Sequence, residues 1–130
     1  MADKLHFSLV SPERELMSRE VDQVVVPGTD GRFGVLANHA PFMSTLTAGL
    51  LSVMDGGKEE KVFVRGGFAD VTPAGLTVLA EEATPVSELV GDAFGARYAK
   101  AEDTLKAAET DEERLEAQNA LTALQAVRDA

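Results

Sequence analysis

His39 is one of only two histidines in the chain and lies in the segment ANHAP, residues 37–41. Its imidazole could serve acid–base chemistry or bind a metal. A catalytic histidine needs a carboxylate or an activated serine nearby, but the closest carboxylate in sequence is Asp30 and no nucleophile-elbow serine motif occurs. Asn38 tolerates a left-handed backbone and Pro41 keeps the preceding residue extended. We therefore interpret this segment as a rigid bend that presents His39 as a structural or surface group, or as a contact for an unknown ligand.

Metal chemistry has few possible ligands in this sequence. Cysteine is absent, and His6 and His39 are the only imidazoles. Disulfides and thiolate sites are therefore excluded, and a zinc site is not expected. The sequence predicts no metal, no cofactor and no catalytic residues.

The glycines of GTDGRFG, residues 28–34, have a spacing that resembles a phosphate-binding loop. Such loops need a helix N-terminus directly behind the glycines to hold the anion. Here RFGVL continues as a strand and no Gly-Lys-Ser/Thr follows. This segment is predicted to be a tight turn.

Two acidic pairs, Glu59-Glu60 and Glu81-Glu82, are the densest carboxylates of the first 85 residues. Adjacent residues of a strand point to opposite faces, so neither pair forms a ready acid–base couple. We expect these side chains to be solvated charges at the edge of a sheet.

The elements that must position these residues fall into two ranges. Before residue 84, short β-type runs alternate with turn signals about every ten residues, and DGGK between LLSVM and KVFVR is the strongest hairpin signal. Eight or more short strands without intervening helices favour an antiparallel β-sandwich or flattened barrel over residues 1–85. Residues 86–130 are predicted to form an antiparallel helical hairpin.

Helical spacing of small apolar residues supports the hairpin. Thr110 and Glu113 are placed to form a capping box at the start of the second helix. Alanine-rich stripes bury little area, so we expect the hairpin to dock weakly and to be the mobile half. The two stripes are Phe94, Tyr98, Ala101, Leu105 and Ala108, and Ala117, Ala120, Leu121, Leu124 and Val127.

Net charge narrows the classes of partner. The chain carries a formal charge of −10, and dividing it after Pro85 gives 7 basic against 12 acidic residues and then 5 against 10. Both parts would repel nucleic acid and anionic membrane surfaces. No run approaches the ~20 apolar residues of a membrane span, so we expect a soluble chain without direct membrane insertion.

A series of short motifs follows one another along the chain: Pro27-Gly28, Gly31, Phe33 to Leu36, His39-Ala40-Pro41, Gly49, Gly66-Gly67-Phe68, Val71 and Val78 to Glu81, followed by the alanine-rich hairpin. Each motif is weak alone, but their order and spacing are specific in combination. Taken together, they resemble the epsilon subunit of F-type ATP synthases from about residue 4 to the C-terminus.

The resemblance implies a non-catalytic central-stalk subunit that turns with the gamma subunit, rests on the ring of c subunits and couples proton flow to ATP synthesis. It would be peripheral, at the cytoplasmic face of a bacterial inner membrane. The bend and the preceding glycine turn would face the polar loops of the c ring. The residues expected to contact the c ring are therefore Arg32, Asn38, His39, Ala40 and Pro41. An apolar stretch outside the core would face gamma, and Met17 and Met43 are its suggested members.

The sequence departs from the family pattern at two places. Ala37-Asn38 replaces the usual Pro-Gly before the histidine, and Arg32 reverses the charge that many relatives carry after the second glycine. Asn can adopt the backbone conformation that Gly would have used, so the bend should survive.

The resemblance also raises an alternative function, a hairpin that binds ATP and inhibits hydrolysis. The family motif for ATP places Asp and Arg three apart on one helix face. Here Asp92 and Arg97 are five apart, which disfavours a sensor of that type. Inhibition by an extended hairpin that reaches acidic helices of the alpha and beta catalytic subunits would be opposed by the hairpin's charge of about −5. We expect weak or absent inhibition.

Overall fold

The computed structural model describes residues 4–129, so residues 1–3 and 130 of the two predicted ranges lie outside the described residues. The strands are β1 (Leu5–Val10), β2 (Glu15–Val21), β3 (Gln23–Gly28), β4 (Gly31–Leu36), β5 (Phe42–Thr45), β6 (Gly49–Asp55), β7 (Lys58–Thr72) and β8 (Gly75–Pro85). A short 3-10 turn, Val86–Glu88, leads to α1 (Gly91–Ala107) and α2 (Asp111–Asp129). The predicted fold class, a β-sandwich followed by a helical hairpin, is confirmed.

The strands are bonded in the order β2-β1-β8-β7-β6-β3-β4, and β5 pairs with β7. Every pairing is antiparallel except that of β1 with β8. The DGGK hairpin is confirmed: Gly56 and Gly57 have φ of 60° and 81°, and Asp55 is paired with Lys58. Positive φ at both central residues gives the turn whose twist matches that of the strands.

Strand β7 serves both layers of the sandwich because it bends in the middle. Residues 58–64 pair with β6 and residues 68–71 pair with β5. At the bend, Gly66 and Gly67 have φ of 70° and 100°. A Cβ at Gly67 would collide with the carbonyl oxygen of Leu79 on β8. The sequence pattern predicts two separate strands, KVFVR and GGFADV. In the structure they form one continuous strand, because the two glycines allow the backbone to bend from one layer of the sandwich to the other.

The sandwich encloses the larger of two apolar clusters, and Phe7, Leu9, Val24 and Leu51 are fully buried in it. The hairpin packs on β6 and β7 through a second cluster centred on Phe63 and Leu124. Four of the eight buried members of this second cluster are alanines among the described residues, namely Ala48, Ala101, Ala120 and Ala123. A buried methyl contributes only about 0.8 kcal/mol, so the hairpin is held by less apolar burial than the sandwich.

The start of α2 has the predicted cap with one change. The backbone N–H of Glu113 donates to Thr110 Oγ1 at 3.1 Å. The Thr110 hydroxyl in turn donates to Glu113 Oε1 at 3.0 Å, so the carboxylate returns the bond to the hydroxyl, where the capping box would have it accept from the backbone N–H of Thr110.

Candidate partner-binding surfaces

The bend that carries His39 has the conformation expected from its sequence. Asn38 has φ of 66°, and the backbone N–H of His39 donates to the Leu36 carbonyl at 3.2 Å. The His39 ring turns back on the chain, because Nδ1 lies 2.7 Å from the carbonyl oxygen of Ala40. Ala40 and Pro41 are exposed. The bend is therefore a pinned surface feature rather than a loose loop.

Next to the bend lies a cleft of about 380 Å³, where the start of β1, the end of β4 and the β7–β8 turn meet. Asn38 and His39 line it, and so does the other histidine, His6. His6 Nδ1 is 3.3 Å from Glu20 Oε1 on β2. Four of the five predicted c-ring contacts thus lie at one place, and the cleft adds His6 to them. Sequence alone did not point to His6, since 33 positions separate the two histidines.

Arg32 lies apart from this group. Arg32 lies at the N-terminal end of β4, whereas the bend follows Leu36, the last residue of that strand. At about 3.3 Å per residue, the four steps from Arg32 to Leu36 span roughly 13 Å. Its guanidinium Nη1 donates to the carbonyl of Leu50 on β6 at 2.8 Å. The structure therefore gives Arg32 an intramolecular bond at the β3–β4 turn and does not bring it to His39.

The two methionines suggested for gamma differ in exposure. Met43 is 62% exposed on β5, beside Phe42 at 47%. Met17 is only 9% exposed and belongs to the sandwich core. The premise that both lie outside the core is therefore wrong for Met17, because β2 turns that residue inward where it faces Leu9 on β1.

The junction between the sheet and the hairpin contains a cluster of charged side chains that sequence reasoning missed. Arg97 on α1 binds Glu82 on β8, with Nε at 2.5 Å and Nη2 at 2.9 Å from the two carboxylate oxygens. Arg65 on β7 donates to the same carboxylate at 3.1 Å. The side chains of Arg97 and Glu82 are 12% and 20% exposed. The expectation of solvated charge holds for Glu81, which is 65% exposed, but is wrong for Glu82.

The electrostatics of Glu82 follow from opposing effects. Burial disfavours the ionised carboxylate, but the hydrogen bonds from Arg97 and Arg65 outweigh it and hold the pKa of Glu82 below its ordinary value. Arg97 also lies over the ring of Phe63, 5.1 Å from its centroid. One arginine therefore ties α1 to both long strands. The 15-residue separation of Arg97 from Glu82 leaves no periodic signal by which the pairing could have been predicted.

Helix α2 makes the second polar contact with the sandwich. Asn119 Nδ2 donates to Thr47 Oγ1 at 2.8 Å. One turn earlier, Glu116 directs its carboxylate toward the Thr47–Ala48 segment. Its Oε1 is buried and finds no hydrogen-bond partner in the part of the chain that the structure describes. Burial is the main reason that the pKa of Glu116 lies above its ordinary value.

Within residues 4–129 no three His, Cys, Asp or Glu side chains are grouped so that they could hold a metal ion. Over the same residues, neither helix combines the length and the apolar character that a membrane span requires.

Comparison with known proteins places this fold in a family. Residues 4–86 match the model of the ATP synthase Delta/Epsilon chain, beta-sandwich domain. An ATP synthase epsilon chain of Maricaulis maris is 55% identical over 114 residues, which are 88% of this chain and 86% of that one. An ATP synthase epsilon chain of Parvibaculum lavamentivorans is 48% identical over 129 residues, 98% of each chain.

Solved structures show the same fold at lower identity. A chain in the cryo-EM structure of the Euglena gracilis mitochondrial ATP synthase, OSCP/F1/c-ring in rotational state 1, has a TM-score of 0.73 at 22% identity, covering 99% of this chain and 82% of that one. A chain of the Tetrahymena thermophila mitochondrial ATP synthase central stalk/c-ring has a TM-score of 0.66 at 11% identity, with coverage of 98% and 96%. The resemblance seen in the sequence is confirmed, and the chain belongs to the family of ATP synthase epsilon chains.

Proposed function

We propose that this chain is a non-catalytic subunit of the ATP synthase central stalk, which binds the gamma subunit and the c ring and so couples proton translocation to ATP synthesis. The observation that carries the proposal is the pinned, exposed bend at Asn38–Pro41 on a rigid sandwich. Its relatives bear the name ATP synthase epsilon chain. In the complex it is peripheral, at the cytoplasmic face of the bacterial inner membrane.

A rotor element has to transmit torque without deforming. The sandwich suits this task because its core is fully buried and its turns are short, and closely packed interiors are stiff. The bend is attached to this body by the His39 to Leu36 backbone bond and by the His39 to Ala40 ring contact. Load passes from the c ring through the bend into the strands and from there to gamma.

The face toward gamma includes Met43. An exposed methionine beside an exposed phenylalanine supplies adaptable apolar contact at an interface. Met17 is not part of this face, because its side chain is only 9% exposed and belongs to the sandwich core.

The hairpin modulates the complex weakly or not at all. It is docked on β6 and β7, and its charge of about −5 opposes approach to acidic helices of the alpha and beta subunits. A hairpin that stays on the sandwich leaves rotation in the hydrolytic direction unhindered.

The test is assembly of the full-length chain with purified gamma and detergent-solubilised c ring. We expect a ternary complex with wild-type protein, weaker c-ring binding with His39→Ala and weaker gamma binding with Met43→Asp. Leu115→Asp is the matched control, because Leu115 is 63% exposed on α2 and Met43 is 62% exposed on β5. Absence of any complex with the wild-type chain, or equal loss with the control, would overturn the proposal. So would an intrinsic turnover that disappears in His39→Ala.

A further inference from the structure

Methionine supplies the only sulfur atoms of this chain, because cysteine is absent and four methionines are present. Met1 lies outside the described residues, Met17 is 9% exposed in the sandwich core, and Met54 is partly buried on β6. Met43 is 62% exposed on the short strand β5. Oxidation of sulfur follows its exposure, so a peroxide that reaches the folded chain meets Met43 more readily than Met17 or Met54.

The register of β5 on β7 places Met43 on the outer face of its layer. Met43 pairs with Asp70, and the residues on either side of Asp70, namely Ala69 and Val71, are buried in the sandwich core. Side chains alternate along a strand, so Met43 and Asp70 point away from that core. A sulfoxide oxygen at Met43 would thus lie in solvent, and its formation should leave the core packing intact.

An apolar row continues from Met43 across this outer face. Phe68 on β7 is the diagonal neighbour of Met43, and diagonal neighbours lie about 7–8 Å apart, within reach of a long side chain. Phe68 pairs with Leu79 on β8, and Leu79 pairs with Val10 on β1. These three residues line an open groove of about 460 Å³. Met43 is therefore the exposed end of an apolar surface that crosses four strands.

We propose that Met43 is a reversible oxidation site, at which a peroxide forms a sulfoxide that weakens the binding of gamma. The inference rests on the proposed function, in which Met43 belongs to the face toward gamma. A gamma subunit that covers Met43 shields its sulfur from the oxidant, so the reaction concerns the chain before assembly. The modification adds a redox control to the step at which the chain joins the complex.

The reaction needs only hydrogen peroxide as co-reactant. The thioether sulfur of Met43 attacks one peroxide oxygen, so that an S–O bond forms and the O–O bond breaks. The displaced hydroxide takes the proton of the new S–OH group and leaves as water, while sulfur loses two electrons and the peroxide gains them. A thiol-dependent methionine sulfoxide reductase reverses the change: two thiols become a disulfide, and the sulfoxide oxygen leaves as water.

The effect on binding follows from the polarity of the product. Oxidation turns a flexible apolar side chain into a polar one. When gamma covers this face, the sulfoxide oxygen loses its water and meets apolar surface, which disfavours the complex. The thioether has no such cost and packs adaptably at an interface.

The first measurement maps oxidation of the full-length chain by dilute hydrogen peroxide, with fragment-ion mass spectrometry to resolve Met43 from Met54. We expect Met43 to react first, at least about tenfold faster than Met17, without a change in Tm. Bound gamma should slow the reaction at Met43. Faster oxidation at Met17 or Met54, or a lower Tm once Met43 alone is oxidised, would overturn the inference.

The second measurement compares the affinity of the full-length chain for purified gamma before and after peroxide treatment. We expect the wild type to bind about tenfold more weakly after treatment and to recover with the reductase. Met43→Leu should have the same affinity before and after treatment. Met54→Leu is the matched control, because it keeps Met43 and should respond as the wild type does.

Two kinds of failure are distinguishable. If untreated wild-type chain binds gamma but peroxide leaves the affinity unchanged, or if Met43→Leu loses as much affinity as the wild type, the inference is overturned. If the untreated wild-type chain does not bind gamma at all, the proposed function is overturned together with the effect on binding. The order of oxidation among the methionines is measured without a partner and is independent of that result.

Discussion

Arg97 on α1 donates hydrogen bonds to both carboxylate oxygens of Glu82 on β8, from Nε at 2.5 Å and from Nη2 at 2.9 Å. This pair connects the sandwich to the helical hairpin, and the apolar area buried between these two parts is small. The fork of an arginine on a carboxylate fixes direction as well as distance. The docked position of the hairpin therefore depends on one polar contact at least as much as on its alanine-rich stripes.

Removing the arginine should loosen the hairpin selectively. Arg97→Met keeps an apolar side chain over Phe63 but leaves Glu82 with Arg65 alone, and we expect docking to weaken by about 1–3 kcal/mol. Hydrogen exchange should accelerate in α1 and α2 while the strands stay protected. Arg114→Met is the matched control, because Arg114 pairs with Asp111 on the surface of α2 and such pairs contribute about 0–1 kcal/mol. Equal exchange in the two variants would contradict the role of Arg97.

Docking should also depend on pH through Glu116. The pKa of this carboxyl is raised in the docked state because of burial, so the docked state binds the proton more tightly than the released one. The contribution of Glu116 to the stability of the docked state is therefore most favourable when the pH is below 4.5, the ordinary pKa of the group. This contribution is lost as the pH rises through the raised pKa. Glu116→Gln should therefore dock more firmly at neutral pH, with an increase in Tm of about 2–4 °C.

Glu82 has the opposite dependence, which allows the two to be separated. Its pKa is lowered in the docked state, so its contribution is present above the ordinary value of 4.5 and is lost as the pH falls through the lowered pKa. We expect melting curves of Glu116→Gln, measured between about pH 4 and 8, to show a loss of stability only at the acid end, where Glu82 becomes protonated. A stability profile at neutral pH that is unchanged by the substitution would contradict the assignment to Glu116.

The bend of β7 should not tolerate a side chain. Gly67→Ala combines φ of 100° with a collision against the Leu79 carbonyl, so we expect at least about 3 kcal/mol of destabilisation or failure to fold. Gly95→Ala is the control within the same chain, since nothing lies within 4 Å of its added Cβ in α1. That substitution should stabilise the helix by about 0.5–1 kcal/mol. Chemical denaturation of both variants tests the contrast, and a mild effect at Gly67 would show that the bend can relax.

ATP should bind weakly, at about millimolar affinity or less. A cavity of about 430 Å³ between the two helices and β7 is lined by Arg65, Arg97 and Lys100, but also by Glu112, Glu113 and Glu116. Arg97 is already committed to Glu82, and the acidic side chains oppose a polyphosphate. Calorimetric titration with ATP and magnesium should give no resolvable heat at micromolar protein. A micromolar dissociation constant that is lost in Arg97→Met would instead support the nucleotide-sensing alternative.

Local conformation was predictable from the sequence because it depends on neighbouring residues. The DGGK turn, the left-handed Asn38 and the Thr110 cap each follow from the dihedral preferences or hydrogen-bonding groups of a few adjacent positions. The apolar stripes of the hairpin follow from the period of the helix, and all but a few of their members lie in the second apolar cluster or pack against it.

The tertiary structure decided which distant side chains meet. It buried Met17, gave Arg32 a bond to Leu50, joined two predicted strands at Gly66–Gly67 and placed His6 and His39 in the lining of one cleft. It also paired Arg97 with Glu82 across the junction between hairpin and sheet, a contact that no periodic pattern in the sequence predicts. Such contacts depend on how strands twist and stack and on which face of each element reaches the other, and these outcomes are set by packing of the whole chain rather than by the order of neighbouring residues.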